Sequence, residues 1–126
     1  MTNDSGVKVA VLFYSSTGNL AAMAEAVGEG AEAMGAQLRV RRVPELAPPE
    51  AIAYNPKWAE YVAKTKDDPV ATLDDLEWAD AVAIGSPTRF GGPASQMKTF
   101  LDTSGGMWAQ GEAAGLGGYS IYLGVD

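Results

Sequence analysis

The chain is 126 residues long, 47% hydrophobic and 20% charged, a composition that supports one globular domain with a sizeable core. Its formal net charge of −7 argues against a phosphate-tracking nucleic-acid binder and against adhesion to an anionic membrane surface. Cysteine and histidine are both absent, which excludes a disulfide framework, a thiolate nucleophile, Cys- or His-ligated metal and Ser-His-Asp catalysis.

The opening MTNDSGVKVA lacks a basic head followed by a long apolar stretch, and no apolar run is long enough for a membrane span. A cytoplasmic protein without a secretory signal is expected. If it is an enzyme, carboxylates, hydroxyls, backbone amides or a borrowed cofactor must do its chemistry.

Val7 to Tyr14 (VKVAVLFY) is a near-continuous apolar run and predicts a central strand buried on both faces. Asn19 is placed to cap a helix from Leu20 to Met34, with Gly35 as the stop. Leu20, Met23, Val27, Ala31 and Met34 recur at helical spacing and are expected to face the sheet. Gln37 to Val43 (QLRVRRV) predicts a second strand, its charges suiting an edge. Pro44 to Pro56 reads as loop; PKWAEYVAKT from Pro56 predicts a short helix with Trp58, Tyr61 and Val62 on one face, and TLDDLEWAD from Thr72 another. Ala79 to Ser86 is a third strand, apolar throughout, followed by a loop, PTRFGGP, and a helix from Ala94 to Asp102 burying Met97, Phe100 and Leu101. GYSIYLGV near the end predicts a fourth strand. No repeat, low-complexity tract or linker divides residues 1–126, which read as one domain.

Strands alternating with helices predict a parallel sheet with helices on both faces. The more buried first strand favours the 2-1-3-4 order of the doubly wound, flavodoxin-like α/β fold. In such sheets ligands bind beyond the carboxyl ends of the strands, where the order reverses; flavodoxin itself is the standing illustration of that rule. Two segments fall there: Ser15 to Asn19 and Pro87 to Gly92.

The first, SSTGN, admits two readings. A helix N-terminus with hydroxyls on Ser15, Ser16 and Thr17 and a permissive Gly18 suits a phosphate monoester; the same residues suit a turn that merely caps a helix. The second, SPTRFGGP, could lie against a flat polar ring with Thr88, Arg89 and Phe90 projecting, or be a tight turn with Arg89 solvated and Phe90 in the core. Taken together, side by side in this fold, they favour a phosphate site and a ring site. Competing motifs fail. No GxxxxGK[ST] is present, Gly28-Glu29-Gly30-Ala31-Glu32-Ala33 fits GxGxxA but lies inside a helix, and Tyr14-Ser15 and Gly85-Ser86 stand where a phosphoacceptor domain needs carboxylates. Trp108, in TSGGMWAQG on an expected loop, could cover a ring or an interface, or simply pack; Trp58 and Trp78 are expected to pack. Asp67, Asp68, Asp74 and Asp75 are expected on solvated surfaces without a catalytic role.

VAVLFYSSTGNL, RRVPE, SPTRFGGPASQMKTFLD and GGMWAQG together resemble the WrbA family of flavodoxin-like NAD(P)H:quinone oxidoreductases, from about Val7 to about Gly111. The resemblance implies noncovalent FMN, two-electron reduction of quinones by NADH or NADPH, and dimers that associate into tetramers. By position it implies that Ser15, Ser16, Thr17, Gly18, Asn19 and Leu20 hold the FMN phosphate. Pro87, Thr88, Arg89, Phe90 and Gly91 then line the flavin, and Trp108 helps wall the substrate site. Thr17 stands where the family often carries a tyrosine.

Beyond Gly111 the likeness fades. Family members continue through a third flavin loop, a fifth strand, a last helix and a histidine near the flavin. The expectation is therefore a C-terminally incomplete FMN-binding domain. An electron carrier without a substrate pocket, or a flavin-free module acting by association, stand as the alternatives.

Overall fold

The computed structural model describes residues 6–109 and 119–124, with the backbone alone at Trp108 and across 119–124. Along the chain the elements are β1 (Lys8–Phe13), α1 (Asn19–Ala33), β2 (Gln37–Arg42), α2 (Pro49–Ala53), α3 (Pro56–Thr65), α4 (Leu73–Trp78), β3 (Ala81–Arg89), β4 (Gly92–Pro93), α5 (Ser95–Asp102), α6 (Gly105–Ala109) and β5 (Tyr119–Gly124).

The main sheet is parallel throughout and runs β2-β1-β3-β5. This is the expected 2-1-3-4 order, with β5 as the predicted fourth strand; β4 is a two-residue ribbon antiparallel to the end of β3. Val11 of β1 sits opposite Val40 on one side and Ala83 on the other. Successive side chains of a strand point to opposite faces, and β1 buries both. Ala10, Leu12 and Tyr14 join Val82, Ile84, Met97 and Phe100 in one core layer, while Val11 and Phe13 join Ala24 and Ala83 in the other. The second layer lies under α1, the first under α4 and α5, so helices cover both faces.

The helix face of α1 differs from expectation. Leu20, Ala24 and Gly28 are the buried positions, whereas Met23, Val27 and Met34 are exposed. The reason is steric: a Cβ on Gly28 would stand 3.1 Å from both Leu38 Cδ2 and Val40 Cγ2, so the helix seats its smallest residues against β2. That contact accounts for Gly28 of the GxG pattern without any dinucleotide, whereas a Cβ at Gly30 would meet nothing within 4 Å. Gly35 ends the helix with φ +89°, as expected.

Asn19 is not the cap. It is the first residue of α1, and Gly18 precedes it in the left-handed region, φ +104°. Two stretches expected as loop contain short helices, α2 and α6. Asp75 is buried rather than solvated. It closes a capping box with Thr72 and accepts from Arg39 Nη1 at 3.1 Å, while that guanidinium stacks on Trp78 at 4.3 Å. No described helix is long and apolar enough to cross a membrane.

Candidate functional site

The carboxyl ends of β1, β2 and β3 are held in step by hydrogen bonds past the strands. The Tyr14 N–H donates to Gly85 O at 3.0 Å and the Val43 N–H to Phe13 O at 2.8 Å. The segments that leave these three strands are therefore fixed in one rim.

In the turn after β1, Ser15 and Ser16 are buried. The Ser15 hydroxyl accepts from the N–H groups of Gly18 at 3.1 Å and Ala21 at 3.2 Å. It thereby satisfies the donors that a conventional cap residue would take, which is why Asn19 is released from that task. Gly18 needs its positive φ, while a Cβ there would only touch the Tyr61 ring, at 3.4 Å. The Leu20 side chain is fully buried, so any contribution it makes to a ligand comes from its backbone.

The segment after Gly85 is a hairpin, not a loop. Pro87 to Arg89 continue β3; Phe90 (φ +52°) and Gly91 (φ +82°) make a two-residue turn; Gly92 and Pro93 return beside Arg89 and Thr88. Positive φ at both central positions is the geometry that matches strand twist in tight hairpins. Buried Ser86 pins its base, its hydroxyl accepting from the Ala94 N–H at 2.8 Å and donating to Pro87 O at 3.0 Å. Phe90 at the tip is fully exposed, which overturns a core role for it. A bulky residue held in the left-handed region with nothing buried in return is local strain without local benefit, the kind that gathers at binding sites.

The two segments meet. Arg89 Nη2 donates to Ser16 Oγ at 3.3 Å. Between them lies a cavity of about 420 Å³ lined by Tyr14, Ser16, Thr17, Asn55, Trp58, Arg89, Ser95 and Gln96. A larger one, about 900 Å³, starts from the same Thr17–Asn19 turn and runs along α3 past Lys57 and Lys64. Both lie in the range of about 300–1,000 Å³ usual for small-molecule sites.

Sequence reasoning assigns no role at this rim to four residues that the fold places there: Tyr14, Glu45, Trp58 and Gln96. The Tyr14 hydroxyl donates to Glu45 Oε2 at 2.6 Å, Trp58 Nε1 donates to the same oxygen at 3.1 Å, and Gln96 Nε2 donates to Glu45 Oε1 at 2.7 Å. Burial, and then the Glu45 carboxylate, push the Tyr14 phenol well above its ordinary value. Burial alone would raise Glu45, but bonds from Tyr14, the Ala47 amide, Gln96 and Trp58 outweigh it and hold the carboxyl below its usual 4.5. Both shifts keep the phenol protonated and the carboxyl ionised at neutral pH. RRVPE is the available signal, since it puts Glu45 just past β2, beside the end of β1.

The donor set fits a phosphate ester. A fifteen-residue helix begins at a glycine in the left-handed region, hydroxyl residues precede it, the stretch from Ser15 to Leu20 holds no carboxylate, and a guanidinium stands alongside. Among the described residues no group of side chains could hold a metal ion. Trp108 lies in α6, and its side chain falls outside the described residues.

Comparisons with known proteins agree with this geometry. A family model described as NADPH-dependent FMN reductase matches residues 7–123. The chain is similar to an NAD(P)H dehydrogenase (quinone) of Deinococcus radiodurans, 48% identical over 108 residues, covering 86% of this chain and 54% of that protein. A protein of the same description from Azorhizobium caulinodans is 50% identical over 108 residues, covering 86% of this chain and 52% of that one. Among solved structures, a WrbA-like flavodoxin from Agrobacterium tumefaciens superposes with a TM-score of 0.58 at 26% identity, over 84% of this chain and 52% of that one. An archaeal flavodoxin, at 19% identity and a TM-score of 0.54 over 95% of this chain and 87% of its own, shares the fold. The chain spans about half the length of the curated relatives it matches. A family model that covers nearly the whole chain leaves one assignment: the chain belongs to the NADPH-dependent FMN reductase family.

Proposed function

We propose that this chain is the FMN-binding part of an NAD(P)H:quinone oxidoreductase. The observation that carries the reading is the junction of the two segments at Arg89 and Ser16, 73 residues apart in sequence. When bound, FMN would supply two-electron hydride chemistry, accepting from NADH or NADPH and delivering to a quinone.

The chain's own residues bind and orient. Ser15, Ser16, Thr17, Gly18, Asn19 and Leu20 surround the phosphate position at the positive end of α1, with Ser15 shaping the turn through its bonds to Gly18 and Ala21. Pro87, Thr88, Arg89, Phe90 and Gly91 give the ring position a rigid hairpin edge, with Phe90 supplying exposed aromatic area. Trp108 is assigned to the substrate wall. The hydrogen-bonded Tyr14, Trp58 and Gln96 line the same cavity as Arg89. No protein acid or base is needed for hydride transfer, which agrees with a chain that has no histidine.

The reading extends to copies associating as dimers or tetramers, supported by the exposed Phe90 beside the site, and to the cytoplasmic setting expected in the sequence analysis. Steady-state oxidation of NADH or NADPH by the FMN-loaded chain with benzoquinone tests it. Sustained turnover is expected. Flavin held without turnover would make the protein an electron carrier instead.

A further inference from the structure

Glu45 is surrounded by neutral donors. Besides Tyr14, Trp58 and Gln96, its Oε1 accepts from the Leu46 and Ala47 N–H groups at 2.9 and 3.0 Å. Five donors thus converge from the end of β1, from α3, from α5 and from its own turn, and the direct partners include no cation. A charge half removed from water is tolerable only because every bond is made.

Counting hydrogens gives the network its direction. A phenol has one, and Tyr14 gives it to Glu45. Its oxygen is left to accept, and it accepts from Gln96 Nε2 at 3.1 Å and Ser16 Oγ at 3.4 Å. Ser16 in turn accepts from Arg89. The donors therefore point in one sense, from Arg89 through Ser16 and Tyr14 to Glu45, and it is the carboxylate charge at the end that sets the sense. A neutral group at position 45 would present a donor of its own to Tyr14, Trp58 or the amides, and the chain would have to reverse or break.

We infer that ionised Glu45 is a positioning residue of the cofactor site. Through Tyr14, Trp58 and Gln96 it fixes the cavity wall, and through Tyr14 it fixes the Ser16 hydroxyl against Arg89, so that both flavin-binding segments keep one register. The ligand side of this inference rests on the FMN reading; the orientation of the wall does not. The charged or titratable groups facing Glu45 are Tyr14 directly and Arg89 by way of Ser16, with Arg42, Tyr61 and Lys66 lining a cavity that Glu45 also lines, while α3 and α5 bond it through the neutral Trp58 and Gln96.

Two measurements test it. In ¹H–¹⁵N spectra of the unmodified protein, assigned with Trp58→Phe, the Trp58 indole N–H resonance should shift as Glu45 loses its charge below pH 4.5. In Glu45→Gln the resonance should be displaced at neutral pH and no longer titrate. In flavin-fluorescence titrations at pH 7, Glu45→Gln should bind FMN about ten- to hundredfold more weakly, the loss expected when hydrogen bonds to a charged group are broken. On a Tyr14→Phe background the same substitution should cost clearly less. An indole resonance indifferent to pH in the unmodified protein overturns the inference, whether or not the variant folds. So does wild-type FMN affinity in Glu45→Gln. If the unmodified chain takes up no FMN, the cofactor reading fails, and the indole titration still decides the positioning claim.

Discussion

Arg89 Nη2, at the end of β3, rests 3.3 Å from Ser16 Oγ, a contact that joins the hairpin to the turn after β1. The guanidinium is otherwise exposed, its Nη1 reaching only its neighbour's carbonyl, Thr88 O, at 3.3 Å. It contributes little to folding and stands where an anionic ligand would meet it.

Replacing Arg89 by Ala should therefore separate binding from stability. The expected change in unfolding free energy is within about 0.5 kcal/mol, as for other surface substitutions. FMN affinity should fall about tenfold or more, the cost of one charge-assisted hydrogen bond. Urea unfolding and flavin titration on the same preparation check both halves.

Gly18 is the backbone position the turn after β1 cannot exchange. At φ +104° any L-residue is strained, and an added Cβ would also meet Tyr61 at 3.4 Å. Gly18→Ala should lose about 1–2 kcal/mol of stability and should weaken FMN binding as well. Denaturant midpoints compared with flavin quenching would show whether the two losses travel together.

Phe90 should behave in the opposite way. It occupies a left-handed position with its side chain fully in solvent, so Phe90→Asn creates the Asn-Gly pair this turn prefers and gives up no buried area. The variant should melt higher, with a gain of about 0.5–1 kcal/mol, yet hold FMN less tightly. Calorimetry showing lower stability would contradict the strain argument.

Gly28 shows how tightly α1 is seated. Gly28→Val places methyl groups where Leu38 and Val40 already crowd the site at 3.1 Å. The expected cost is about 1–3 kcal/mol of overpacking. Any reduction in FMN binding should disappear where the variant is fully folded.

Tyr14 predicts an alkaline limit. Its phenol holds its proton more tightly in the folded chain than in the unfolded one, through burial and the nearby Glu45 carboxylate. The contribution to stability is therefore intact below the ordinary value of 10 and is lost as pH rises beyond it, because only the unfolded chain then ionises freely. Melting temperature should drop above pH 10 in the unmodified protein and drop less in Tyr14→Phe.

Much of this architecture is legible in the residues. Largely apolar runs at Val7–Tyr14 and Ala79–Ser86, separated by helical patterns, are enough for sheet order and for the two segments at its rim. Three kinds of feature stay hidden. Helical spacing points the large apolar residues of α1 inward, whereas close packing chooses Ala24 and Gly28. The hairpin at Phe90-Gly91 lacks the Asn-Gly or Asp-Gly signal, so its sequence looks like loop. The side-chain part of the Glu45 network is tertiary: its members come from positions 14, 45, 58 and 96, and only the fold brings them to one carboxylate. Buried Asp75 is hidden for the same reason, its guanidinium partner standing 36 residues away.

The central claim is that the turn at Ser15–Leu20 grips a phosphate while the hairpin at Pro87–Gly91 takes the ring. Parallel fluorescence titrations with FMN and with riboflavin, which differ only in the phosphate, test it most directly. The account predicts that FMN binds at least about tenfold more tightly than riboflavin, one charged hydrogen-bond set, and that Gly18→Ala erases most of that difference. Equal affinity for the two flavins, or no quenching by either, would contradict it.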